Sequence, residues 1–121
     1  MPKPAAALLL AAALAAGAAV AAERAPTRNQ YYGAIAYHAE SKSVGWSTDR
    51  RSAREAKVEA LRQCNNEKCE VVAAITRGCG ALARDAKKFA VQKGATRDEA
   101  QTKALKRCGA QCEIVAWTCT R

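Results

Sequence analysis

Polar and apolar positions along this chain follow a strand rhythm and then a helix rhythm, and the succession occurs twice. Tyr32 to Tyr37 is rich in Tyr, Ile and Ala, and Val44 to Thr48 carries Trp46. The polar turn Glu40-Ser41-Lys42 separates them, so the pattern predicts two short strands. Apolar residues then recur at Ala53, Ala56, Ala60, Leu61 and Cys64, the spacing of an amphipathic helix. Ser52-x-x-Glu55 precedes them as a capping box, in which the hydroxyl accepts from an N–H three residues on and the Glu reaches back. Val71 to Ile75, β-branched and apolar, predicts a core strand.

The second succession matches the first. Ala81 to Arg84 and Lys88 to Gln92 predict strands about the turn Asp85-Ala86-Lys87. Thr96-x-x-Glu99 repeats the box, Ala100, Ala104, Leu105 and Cys108 repeat the helix, and Ile114 to Trp117 repeats the strand. Gly33-Ala34-Ile35-Ala36 answers to Gly80-Ala81-Leu82-Ala83, and Cys69-Glu70-Val71-Val72-Ala73 to Cys112-Glu113-Ile114-Val115-Ala116. Two copies are too few for a solenoid, so they predict one pseudo-symmetric domain. The expected class is α+β: two β-β-α-β pseudo-repeats forming one antiparallel or mixed sheet of about six strands, covered by two helices and held by three disulfides. The helical faces are narrow and made of small side chains, so the helices are expected to lie close to the sheet.

The start of the chain has a different character. Lys3 is followed by an apolar run from Ala5 to Val20, then by small residues through Ala22. This is the pattern of a secretory signal, and the run is shorter than the roughly 20 residues that span a bilayer. The expected division is residues 1–22 as signal peptide, 23–30 as flexible leader and 31–121 as one duplicated domain, with halves at about 31–79 and 79–121. Cleavage after the first 22 of 121 residues leaves 99, with no transmembrane segment, and loss of Lys3 takes the net charge from +9 to +8. The expected location is secreted or periplasmic.

Six cysteines in so small an exported chain predict three disulfides. Six allow 15 pairings, and more than one is compatible with the repeat. Cys64 and Cys69, and likewise Cys108 and Cys112, flank the step from helix to strand. Locality selects 64–69 and 108–112, which leaves 79–119. Cys79 and Cys119, each placed just beyond the last strand of its half, are read as equivalents bonded near the pseudo-axis. Loop entropy assigns roughly 2 kcal/mol to each short loop and about 4 kcal/mol to the long one. A zinc site is disfavoured, because the spacings are C-x4-C and C-x3-C and the lone histidine is His38.

No catalytic constellation emerges. His38 has no G-x-S-x-G serine to serve, and the cysteines are used in disulfides. Glu55, Glu99, Glu70 and Glu113 are twinned by the repeat and read as scaffold. Gly78-Cys79-Gly80 lacks the Lys and Ser/Thr of a phosphate loop. No cofactor or metal is expected. The basic balance favours an anionic partner, either an envelope component or an acidic protein. Few aromatic platforms disfavour nucleic acid. If both helices cover one sheet face, their outer sides form a basic surface. Arg50, Arg51 and Arg54 crowd a helix N-terminus, where cations are unfavourable, and Lys57 follows. With His38 and Trp46, which the repeat does not twin, they form the candidate binding surface.

The segments Tyr32-Gly-Ala-Ile-Ala-Tyr37, Gly45-Trp46-Ser47, Ser52-Ala-Arg-Glu-Ala56, Cys79-Gly-Ala-Leu-Ala83 and Val115-Ala-Trp-Thr-Cys119 resemble the bacterial exported family named domain of unknown function 4189. The resemblance covers residues 31–121 and implies an exported setting in bacteria, with no catalytic residues to carry over. The expected function is a small exported, disulfide-stabilised, non-enzymatic binding domain. A periplasmic inhibitor or immunity-like protein is the alternative, and a small secreted enzyme or toxin using His38, Glu70 and Glu113 ranks below both.

Overall fold

A computed structural model of the chain describes residues 30–121. The signal expected over residues 1–22, and all but the last residue of the expected leader, lie outside the described residues. The element order is β1 (Tyr32–His38), β2 (Ser43–Arg50), α1 (Ala53–Cys64), β3 (Glu70–Thr76), β4 (Gly78–Arg84), β5 (Phe89–Gly94), α2 (Arg97–Cys108) and β6 (Glu113–Thr120). The β-β-α-β unit therefore occurs twice, in an α+β fold.

The six strands do not join into one sheet. They form two antiparallel three-stranded sheets, ordered β2-β1-β3 and β5-β4-β6. Alternation along the central strands gives the reason. Ala34 and Ala36 of β1 face Ala56, Ala60 and Cys64 of α1, whereas Ile35 and Tyr37 face the other way, onto Leu82 of β4 and Ala116 of β6. In β4, Ala81 and Ala83 face Ala100, Ala104 and Cys108 of α2. One flat sheet with both helices on one face would leave Ile35, Tyr37, Ile75 and Leu82 in water. Stacking two sheets buries them, at about 1.5–3 kcal/mol for each large side chain. The result is four layers, helix, sheet, sheet, helix. The helices thus lie on opposite outer faces, and their basic residues do not merge into one surface.

The two halves differ in how closely helix and sheet approach. A Cβ on Gly45 would stand 2.2 Å from the Ala60 carbonyl oxygen and 2.4 Å from the Cys64 nitrogen, so α1 packs backbone to backbone on β2. Its register equivalent in the second sheet is Ala90, since Gly45 pairs Ala36 and Ala90 pairs Ala83. Both capping boxes form. Ser52 Oγ accepts from the Glu55 N–H and Thr96 Oγ1 from the Glu99 N–H, each at 3.1 Å. The glutamates reach back one residue further than a minimal box requires, accepting from the N–H of Arg51 and of Ala95.

The cysteines stand as three bonded pairs, Cys64–Cys69, Cys79–Cys119 and Cys108–Cys112. The two local bridges tie each helix C-terminus to the following strand. The third does not lie on the pseudo-axis. Cys79 is on β4, at the start of the second unit, and Cys119 is on β6, directly opposite it in the same sheet. Their register equivalents in the first sheet are Tyr32 and Thr76, which also pair. This bridge is a cross-strand clasp that only the second sheet possesses, and the chain changes sheets at Arg77 rather than at Cys79.

Candidate functional site

β2 is an edge strand of the first sheet, β6 is an edge strand of the second, and the two lie together. A bulge shapes this edge. Two residues lie between Ser47 and Arg50 in β2, where one lies between their equivalents Gln92 and Gly94 in β5. The extra residue bends the strand, and Asp49 there takes φ +49°. Its carboxylate accepts from the Thr120 hydroxyl at 3.0 Å, the Arg121 N–H at 3.1 Å and the Arg121 side chain at 3.2 Å. The Arg121 N–H above all holds the Asp49 carboxyl below its ordinary range. Thr118 Oγ1 donates to the Ser47 carbonyl at 3.0 Å and also meets the Thr48 hydroxyl. Edge strands from different sheets are thereby fastened to each other.

Beside these fastenings opens a cleft of about 410 Å³ lined by Trp46, Thr48, Val115, Trp117 and Thr118. Trp46 is 42% exposed and Trp117 38%, a cost that core packing does not explain. Arg97, the first residue of α2, lies with its guanidinium carbon 3.9 Å from the Trp117 ring centroid. That is a close cation–π stack, which leaves the in-plane N–H groups of the fork free. At the far end of the edge, Arg51 and Arg121 flank the Tyr31 ring at 5.6 and 5.0 Å. Arg50 leans toward α1, 3.7 Å from Glu59, whose carboxyl is lowered chiefly by hydrogen bonds from Arg62. Among the described residues, Arg51 and Arg97 make no ion pair.

The structure therefore brings Trp46, Arg50 and Arg51 to one edge and separates the other expected site residues from them. Arg54 and Lys57 are exposed on α1. His38 pairs with Ser43 while Tyr32 pairs with Arg50, so His38 lies at the opposite end of β1, roughly 20 Å along the strand. There its Nδ1 meets Ser41 Oγ at 2.7 Å and serves the β1–β2 turn. His38 and Glu70 line one small cleft, whereas Glu113 lines another, beyond Arg84 and Lys87. Sequence reasoning misses Trp117, Arg97 and Arg121. The repeat itself carries a signal for the first, because Val-Ala-Ala-Ile of β3 becomes Val-Ala-Trp-Thr in β6.

These features define a duplicated, disulfide-clasped four-layer domain with an aromatic and basic edge where its halves meet. The chain belongs to the family described as Domain of unknown function (DUF4189), whose model matches residues 32–119. It is 38% identical over 89 residues to uncharacterized protein Mb1843c of Mycobacterium bovis and, equally, to uncharacterized protein Rv1813c of Mycobacterium tuberculosis. Each match covers 74% of this chain and 60% of the relative, so this chain aligns with less than two thirds of their length. The NMR structure of Rv1813c superposes with a TM-score of 0.61 at 31% identity, covering 78% of each chain.

Proposed function

We propose that this chain is an exported, non-enzymatic binding domain that engages an anionic partner through the β2–β6 edge. The observation that supports this reading most is the gathering there of two half-exposed tryptophans with Arg51, Arg97 and Arg121. Asp49, the acid between the strands, is already occupied by Arg121 and Thr120. Rims of charge and centres of aromatic surface are the usual make-up of recognition patches. The net charge, +9 for the whole chain and +8 without Lys3, adds a long-range attraction for acidic envelope components.

A salt series tests the reading. Binding of the full chain to phosphatidylglycerol vesicles, an acidic polysaccharide and duplex DNA is measured from low to high salt. The expected result is binding to an envelope-type polyanion that weakens steadily as salt screens the contacts, and weakens further in Arg51→Gln and Arg121→Gln. Absence of binding to every one of these at low salt removes the proposal.

A further inference from the structure

The internal repeat provides a control for the paired strand positions. Trp46 pairs Ile35 and Val91 pairs Leu82, so Trp46 and Val91 are equivalents. Ala116 pairs Leu82 and Ala73 pairs Ile35, which makes Ala74 the equivalent of Trp117. The edge opposite, where β5 meets β3, is thus the same scaffold without either indole. It is also closed differently: Lys93 Nζ donates to the Ala74 carbonyl at 3.1 Å, and the cleft there is about 270 Å³. The scaffold does not require tryptophan at these positions, since its other copy is built with Val and Ala.

We infer that the Trp46–Trp117 cleft is a binding site for a segment of acidic saccharide, a sugar chain bearing carboxylate, sulfate or phosphate groups. This rests on the proposed reading and narrows its partner. Indole faces pack against the C–H faces of sugar rings, burying apolar area while the ring hydroxyls stay hydrated. Arg97 supplies the second element. Its stack on Trp117 fixes the guanidinium plane at the cleft, and its N–H fork, unpaired among the described residues, matches an oxyanion in two-point geometry. Arg97 also opens α2, where a cation works against the helix dipole, so its placement does not serve helix stability. Arg51 and Arg121 continue the positive charge along the edge, matching an acidic chain longer than one ring. Nucleic acid fits less well. One face of Trp117 is taken by Arg97, and the cleft holds two indoles rather than a run of open platforms for successive bases.

Trp46 and Trp117 are the chain's two tryptophans, so indole emission reports this cleft. The full oxidised chain is titrated with oligogalacturonate, a heparin oligosaccharide, a neutral malto-oligosaccharide and single-stranded DNA of equal charge. The expected result is a saturable emission change with at least one acidic saccharide and a much weaker one with the neutral chain. Arg97→Gln, on an exposed side chain, is expected to weaken that binding about tenfold or more, with an unchanged thermal midpoint. Trp46→Ala, followed through Trp117, is expected to weaken that binding to a similar degree, while Lys93→Gln at the other edge leaves binding unchanged. The inference is overturned if neither acidic saccharide alters the emission, if the neutral chain or the DNA binds as tightly, or if Arg97→Gln binds as well as the parent. Salt-sensitive anion binding that ignores both the indoles and Arg97 overturns this site and leaves the broader proposal standing. No anion binding at all removes both.

Discussion

At the scale of single residues, the tightest constraint is a missing side chain. Gly45 lets the α1 backbone rest on β2, and the nearest atoms to an added Cβ are main-chain atoms that cannot swing aside. Gly45→Ala is expected to destabilise the fold by about 1–3 kcal/mol, the usual cost of overpacking, read as a lower denaturant midpoint. The adjacent Ser47 hydroxyl donates to the Ala56 carbonyl at 2.7 Å in the same buried contact. Asp85 is the residue to watch on acidification. The backbone N–H groups of Lys87 and Lys88 above all, and then the Lys88 ammonium, lower its carboxyl from an ordinary 3.8 to about 2. The folded value lies below the unfolded one, so the stabilisation is present above about pH 4 and is lost as pH falls towards 2. Denaturant titrations at a series of pH values are expected to show Asp85→Asn losing stability less steeply over that interval than the parent. Neither residue's importance is evident from its letter in the sequence. A glycine in a strand and an aspartate in a turn are common, and what distinguishes these is the backbone brought against them.

At the scale of elements, the sequence is most legible where chemistry is local. Both helices, both boxes and all six strands stand where periodicity puts them, to within one to three residues at each end. The caps satisfy helix N–H groups that nothing else reaches, so Thr96→Ala is expected to cost about 1 kcal/mol and Ser52→Ala a similar amount, measured by thermal or chemical denaturation. The conservative exchanges Thr96→Ser and Ser52→Thr keep the accepting hydroxyl and are expected to retain most of that stability. The edges of the sheets are not legible. Their protection comes from side chains of the other sheet: Thr118 on the Ser47 carbonyl, Lys93 on the Ala74 carbonyl. Those partners are 71 and 19 residues away in the chain, and no periodicity announces them.

At the scale of the whole molecule, the repeat is legible and its geometry is not. Local spacing cannot say whether six strands lie side by side or stacked. The answer is held in the size alternation of β1 and β4, with alanine on one face and Ile or Leu on the other, which marks strands buried on both sides. The pairing of Cys79 with Cys119 is likewise a matter of the second sheet rather than of the axis. It closes the longest loop, of 40 residues, so replacing both cysteines by alanine is expected to cost about 4 kcal/mol, roughly twice the loss from opening either local bridge. Urea titration of the three double variants checks the ranking. A lone β-β-α-β unit would show the face of Ile35, Tyr37 and Ile75 to water and would need a mate. Here the mate is on the same chain, one residue away across Arg77. Association on dilution is no longer at stake, and neither is identity. Two separate copies of one unit would carry the same side chains at both junctions, whereas the fused pair keeps Val91 and Ala74 at one and places Trp46 and Trp117 at the other. Joining the halves is what allows the molecule to have a front.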